Sequence, residues 1–308
     1  MAIGVDLPNR SIRQRVAAST PGGLRTAVRM ALNYIYRLRM WLDLLEELRA
    51  ADAHSRLVLW SSAMAAPVTA LRKLDSFQAP RLLGNISVNV QGVGRFNVRA
   101  NTDDLLHVMA SREPWVSKIL TVELAPGRCF VDGGANIGFY SLLAARLVGP
   151  LGEVVAFEMM PDTAAILTTH VESNGDLPIR IVERALSARS GQRVTASVEP
   201  GLHGQASIVT KGIGPRQLVS VETVTLDEAL AAVDRIDLLK LDLEGAEFGA
   251  LCGAKAVLAR TGCVVFESND EDPRIFALLE AAGFAVDRLG ASDFVARPVA
   301  GLGLGAAA

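Results

Sequence analysis

Four acids close apolar runs: Asp132 in "CFVDGGANIG", Glu158 in "EVVAFE", Asp242 in "IDLLKLDLEGAE" and Glu267 in "CVVFES". A carboxylate at such a place can attract a cation, accept hydrogen bonds from hydroxyls, or take a proton from a reacting group. Around Asp132 the glycine-rich turn narrows the choice. Gly133, Ala135 and Gly138 give only G-x-A-x-x-G, so the glycine that lets a backbone approach a pyrophosphate is missing. Asp132 would also repel that anion, and both features count against a nicotinamide dinucleotide. S-adenosylmethionine has no phosphate and carries a sulfonium and an ammonium. Asp132 can attract the ammonium directly or through water, while Gly133, Gly134 and Gly138 allow a tight bend. The competing role for Asp132 is that of an acid favoured by a helix dipole.

Glu158 lies about 20 residues beyond Gly138, where an acid accepts hydrogen bonds from both ribose hydroxyls of an adenosyl group of either class. Met159 and Met160 follow it and can pack on adenine or simply fill core. The expected cofactor set is Asp132, Gly133, Gly134, Asn136, Gly138, Glu158 and Met159.

These residues need strands and helices to hold them. Short Val/Ile/Leu-rich strands are expected at 129–132, 154–158, 179–183, 236–242 and 263–267, with helices at 137–148, 162–173, 227–232, 247–259 and 273–282. That alternation predicts a mostly parallel sheet with ligands at the carboxyl ends of its strands. "FAVDRLG" and "DFVARP" have no helix between them and must run antiparallel. Before this domain, "NISVNVQ" and "GRFNVRA" read as a hairpin across "GVG". Residues 1–80 read as a helical extension, 81–300 as the main domain and 301–308 as a tail. The extension holds an amphipathic helix from Leu24 to about Leu48, entered through "TPGG" at 20–23 and studded with Arg25, Arg29, Arg37 and Arg39, and a second helical stretch to about Leu74. The amphipathic helix suits packing on its own domain, a second copy, or peripheral contact with a membrane.

Composition sets the outer bounds. Half of the 308 residues are hydrophobic, and 31 basic residues face 33 acidic ones, so no global field draws nucleic acid. The opening "MAIGVDLPNRSIRQ" lacks the order of a signal peptide, and "LVLWSSAMAAPVTAL" at 57–71, interrupted by Pro67, falls short of the ~18 residues of a spanning helix. A soluble, cytoplasmic protein is expected. Cys129, Cys252 and Cys263 show no ligand or redox-pair spacing and read as buried thiols.

With "FVDGGANIGFYSLLA", "VVAFEMMPD", "VETVTLDEAL", "IDLLKLDLEGAE" and "VVFES" in this order, the chain resembles the FkbM family of S-adenosylmethionine-dependent methyltransferases over residues 86–294. Gly133 and the Met159–Met160 pair depart from the usual family pattern. The resemblance implies a class I methyltransferase fold, α/β and Rossmann-like, and O-methylation of hydroxyls on sugars, polysaccharides or natural products. The other readings are a nicotinamide-dependent oxidoreductase and a non-catalytic interaction protein that keeps the fold.

Methyl transfer is an in-line displacement, and a hydroxyl acceptor must lose a proton as it attacks. Asp242 is the first candidate base, with Glu244 on the same side of an extended segment and His203, in "GLHGQASIV", the histidine of the 191–225 loop. Glu247 suits helix capping as well as catalysis, and Lys240 points under the sheet or pairs with an acid. Asp242, Glu267 and Asn269 offer oxygen ligands for magnesium, but no residue is assigned to a metal.

Overall fold

The computed structural model describes residues 22–71, 79–209 and 216–299, so Thr20 and Pro21 of the expected entry turn and the expected tail at 301–308 lie outside the described residues. The chain forms two compact units, residues 1–91 with 95–114, and residues 92–94 with 115–308.

In the first unit, helix α1 (Gly22–Glu47) leads through the short strand β1 (Leu48–Ala50) into helix α2 (Ala53–Thr69). Asp52 caps α2 by accepting the Ser55 amide at 2.7 Å, which satisfies one orphan donor of the first turn. Strands β2 (Ile86–Val90) and β3 (Gly94–Val98) form the expected hairpin, and β1 pairs antiparallel with β2 to make a three-stranded sheet. The extension is therefore not purely helical. Short α3 (Asp104–His107) follows, with Arg99 held bidentate on buried Asp104 at 2.7 and 2.8 Å.

Helix α4 (Pro114–Glu123) leads into the second unit. Its elements run β4 (Cys129–Gly133), α5 (Phe139–Val148), β5 (Glu153–Phe157), α6 (Pro161–Ser173), β6 (Ile179–Val182), β7 (Ala185–Leu186), β8 (Arg193–Val198), β9 (Gln217–Val224) and α7 (Leu226–Ala229). They continue through β10 (Leu238–Leu241), α8 (Glu247–Cys252), α9 (Lys255–Leu258), β11 (Val264–Glu267), α10 (Pro273–Ala281), β12 (Phe284–Arg288) and β13 (Asp293–Pro298). Seven strands make one sheet in the order β12-β13-β11-β10-β4-β5-β6, with β13 antiparallel to both of its neighbours and β11-β10-β4-β5-β6 parallel. The chain enters at β4, winds outward through β5 and β6, then returns to β4's other side as β10. The topological switch point lies between β4 and β10, where open α/β sheets bind ligands.

Both faces of the sheet are covered, so its central strands are mostly apolar, with Asp132 and Lys240 the buried charged exceptions in β4 and β10. Val131, Leu239, Leu241 and Phe266 share one cluster with Leu251, Ile275 and Phe294. Phe130, Leu238 and Val265 share another with Ala144, Val148 and Val295. Continuous Val/Leu/Phe runs are what a parallel sheet buried on two faces requires.

Three expectations need correction. The 191–225 segment is not a simple loop, since β8 and β9 pair antiparallel through six positions from Arg193↔Glu222 to Val198↔Gln217. The expected helix over 247–259 is two short helices, parted where Gly253 lies against the Ser187 carbonyl, 2.4 Å from any added Cβ. Cys252 is exposed; Cys129 and Cys263 are buried, and burial pushes both of these thiols up to about 12.

Candidate active site

The β4–α5 turn sits at the switch point. Gly134, at φ +78°, passes so close to the end of β10 that an added Cβ would stand 1.9 Å from the Asp242 carbonyl oxygen, and Gly138, at φ +92°, fits against Leu167 of α6. These glycines are demanded by close packing of the turn on β10 and α6 as well as by the bend itself. His170 braces the turn, its buried Nδ1 2.7 Å from the Ile137 carbonyl.

Asp132 is sealed, at 1% exposed. Its Oδ2 accepts the Ser141 hydroxyl at 2.7 Å, while Oδ1 makes no hydrogen bond and lies 3.7 Å from the Lys240 ammonium. Register explains the pair, because Lys240 on β10 stands beside Asp132 on β4. Burial raises the Asp132 carboxyl above its usual range, and Lys240 and Ser141 oppose that rise. Lys240 reaches Asp242 Oδ2 at 3.4 Å and lies 5.2 Å from the Tyr140 ring centroid, so it bridges the acids of the two strands. Its place under the sheet, left open by the sequence, is thus that of a counter-ion.

Glu158 follows β5 and clamps the turn, accepting the Asn136 amide on Oε2 and the Met160 amide on Oε1, each at 2.9 Å. Burial pushes this carboxyl up to about 7 despite those two bonds. Each oxygen keeps a second lone pair for a hydroxyl donor. Asn136 is held at φ +49°, and its Oδ1 is buried without a hydrogen-bond partner. Met160 is core, packed with Ala185, Ala196, Val198 and Val221, and Met159 is half-buried against that cluster.

Across the switch point, the β10–β11 register of Lys240↔Val265 and Leu241↔Phe266 carries the next residues, Asp242 and Glu267, side by side. Carboxylate oxygens of Asp242, Glu244 and Glu267 all lie within 4.8 Å of one another. Glu244 gets there by a different route from the one its spacing suggests. The segment is not extended at that point; Glu244 adopts φ +54° and Gly245 φ +99°, which turns the chain into α8. Glu247 is buried and accepts the Leu243 and Gly245 amides at 2.8 and 3.1 Å, so it fastens the turn before α8 rather than capping the helix, whose N-cap Ala246 makes no side-chain bond.

Burial, the Asp242 charge beside it and the hydrogen bond it shares with Asp242 push Glu267 up to about 8, with Glu244 and Asp293 adding to the rise. Ser292 donates to Glu267 Oε1 at 3.2 Å. Glu267 was read from the sequence only as one possible metal ligand; its partnership with Asp242 needs the β10–β11 adjacency, which no local pattern reveals. Asn269 is exposed. His203 occupies the 3-10 turn His203–Gln205, half-buried, and that segment is tied to the acids where the Ser207 hydroxyl donates to the Glu244 carbonyl at 2.9 Å.

A sheet of this order, with an acid-and-glycine turn after its first strand and acids closing the strands on both sides of the switch point, defines the class I methyltransferase fold. The family described as the methyltransferase FkbM domain matches residues 132–286, and the chain belongs to it, a family of S-adenosylmethionine-dependent methyltransferases. Methyltransferase sdnD from Sordaria araneosa is 30% identical over 193 residues, 51% of this chain and 74% of that protein. Methyltransferase 1 from Beauveria bassiana is 25% identical over 223 residues, 64% of this chain and 89% of that protein. Among solved structures, an O-methyltransferase from Thermotoga maritima aligns with a TM-score of 0.41 at 14% identity, covering 69% of this chain and 77% of its own. Family membership sets aside the nicotinamide-dependent reading and supports methyltransferase activity over the non-catalytic one.

The residues of the turn fit this cofactor. Asp132 Oδ1 and Asn136 Oδ1 are buried acceptors without a hydrogen-bond donor, and S-adenosylmethionine brings N–H donors in its ammonium and adenine amine. No described helix is long and apolar enough to cross a membrane.

Proposed function

We propose that the chain methylates a hydroxyl oxygen on a sugar, polysaccharide or other natural product, with Asp242 and Glu267 acting together as the base. The observation that carries this reading is the convergence of the Asp242, Glu244 and Glu267 carboxylates at the switch point.

When bound, the cofactor supplies an electrophilic methyl on a sulfonium. Glu158 accepts the ribose hydroxyls, Asp132 and Asn136 accept N–H donors, and Met159 lies where it can border the adenine. The acceptor oxygen needs a base that is strong yet available near neutral pH. Two adjacent carboxylates meet that need, because repulsion in the doubly ionised pair makes it much more basic than a lone carboxylate. The acceptor O–H proton passes to the pair, which then holds it between Asp242 and Glu267. Lys240 aims Asp242 through their 3.4 Å contact, while Glu244 and the His203 segment border the acceptor side.

Three neighbouring carboxylates also resemble a divalent-cation site, yet the shared proton already accounts for their closeness. Turnover in excess chelator is therefore expected to equal that in buffer. The reading is tested with Asp242→Asn and Glu267→Gln against a panel of hydroxylated glycans and metabolites. Each should bind cofactor normally and lose about 10²- to 10⁴-fold in turnover. In the wild type, kcat/KM should rise with pH through a midpoint near 8 to a plateau above it, and Glu267→Gln should remove that rise. Full activity in both variants would overturn the assignment of the base.

A further inference from the structure

Helix α2 (Ala53–Thr69) is turned the opposite way from an ordinary amphipathic helix. Its buried positions are Ser55, Leu59, Ser62 and Ala66, only one of them a large apolar side chain. The large apolar side chains Leu57, Trp60, Met64, Val68 and Leu71, running from the helix into the turn after it, are exposed, Met64 at 79% and Trp60 at 54%. At 100° per residue these five fall within an arc of about 80°, one continuous stripe.

The orientation is locked from beneath. The Ser55 hydroxyl accepts the Ser87 amide of β2 at 2.9 Å, and the Ser62 hydroxyl accepts the Leu83 amide at 3.0 Å. Rotating the helix to bury its large side chains would break both bonds and thrust Trp60 into the close contact that the serines allow. The same unit exposes Val28, Leu32, Ile35 and Leu42 along α1.

Charge names the partner. No acid occurs between Asp6 and Asp43 while seven arginines do, and residues 53–74 hold Arg56, Arg72 and Lys73 with no acid. Residues 1–83 carry 12 basic against 6 acidic residues, and 84–308 carry 19 against 27. The near-neutral total therefore hides a basic first unit. Two copies would each bring the same net basic charge to such a contact, whereas an anionic lipid surface attracts that charge and would accept the apolar stripe.

We infer that the α2 face is a docking surface for anionic membranes, with Trp60, Met64 and Val68 entering the headgroup boundary, exposed Arg56 of the same helix meeting lipid phosphates, and the net basic charge of the first 83 residues drawing the chain to the surface. The stripe lies along the surface rather than across it, in keeping with the absence of a spanning helix among the described residues. This inference stands independently of which hydroxyl is methylated.

The test uses the full chain with vesicles of phosphatidylcholine alone and of phosphatidylcholine mixed with phosphatidylglycerol. The readouts are flotation and tryptophan emission. Of the three tryptophans, Trp41 is buried and Trp115 half-buried, so a blue shift on binding reports mainly on Trp60. Anionic vesicles should float the protein and shift its emission, added salt should weaken the association, and neutral vesicles should bind far less. A Trp60→Ser, Met64→Ser double variant, altered only at exposed positions, should keep its circular dichroism and bind about tenfold or more weakly. Four results would overturn the inference: a folded wild type that floats with neither vesicle, equal binding to both vesicles, undiminished binding by the double variant, or Trp60 emission already shielded in buffer. The last, with a dimeric mass by light scattering, would give the face to a second copy; with a monomeric mass, to the chain itself.

Discussion

The two units treat a large apolar side chain in opposite ways. In the methyltransferase unit, Phe266 is 1% exposed and its ring contacts Phe276 and Phe294, at centroid distances of 5.9 and 5.4 Å. In the first unit, Trp60 stands out from a helix whose inner face is Ser55, Leu59, Ser62 and Ala66. Composition does not separate them, since both lie in apolar runs. What separates them is polar anchoring: Phe266 is held by a sheet covered on two faces, while α2 is held by serine hydroxyls that accept backbone amides. A buried aromatic is a stability device, and an aromatic held outward by hydrogen bonds is a recognition device.

The contrast is sharpest in truncation. Phe266→Ala should cost about 3–5 kcal/mol, the range for an aromatic removed from a closed core. A urea midpoint close to that of the wild type would mean that the sheet is far looser than its packing implies. Next comes Gly134→Ala, which sets a methyl group against the Asp242 carbonyl at a positive φ. A loss of roughly 3 kcal/mol is expected, together with loss of cofactor binding, because the turn and the base-bearing strand must separate. Calorimetry and chemical unfolding on the same sample would report the two effects separately.

A smaller effect follows from titration of Glu158. Burial raises its folded pKa to about 7 from an ordinary value near 4.5. The folded, ligand-free protein thus holds this proton over pH 4.5–7, where the unfolded chain has lost it, and the acid's contribution to stability is fullest below that window and lost as pH rises through it. Cofactor binding has the opposite sign, since ribose hydroxyls need the carboxylate as acceptor. Affinity should fall by about tenfold per pH unit below 7, or ~1.4 kcal/mol, and Glu158→Gln should flatten the slope. Pushed-up Asp132 lies close enough to add to the slope, so a residual dependence in the variant would be its signature.

What the sequence revealed follows the same division. The alternation after Cys129 was legible because a doubly covered parallel sheet writes itself as short apolar runs, and the observed strands fall within one or two residues of those expected. Asp132 and Glu158 stood out because each closes such a run. Asp237 was read as strand interior, yet it precedes β10 and accepts the Cys129 amide at 2.9 Å while pairing with Arg128, an edge role visible only once β4 and β10 are neighbours. β8 and β9 were hidden because one has a half-exposed, Ser/Thr-interrupted pattern and the two are far apart in the chain. Glu267 escaped as a base partner for the same reason of distance. α2 was legible only as a second helical stretch, and nothing in it said which side faced inward, since Ser55 and Ser62 read as surface residues until their backbone partners are known.

The smallest expected effect is therefore the most discriminating. Trp60→Ala removes more apolar surface than Phe266→Ala, and if area alone governed stability it would cost more. Its side chain is exposed in the folded chain, so its removal should change stability by no more than about 0.5 kcal/mol, the range for surface positions free of special contacts. Denaturation midpoints for the two variants, measured side by side, isolate burial from size. A Trp60→Ala loss of about 2 kcal/mol or more would show that the α2 face is covered in solution, and the search for its cover would begin with a second copy. Wild-type stability combined with lost vesicle binding would mean that the residue is kept for what it touches outside the chain.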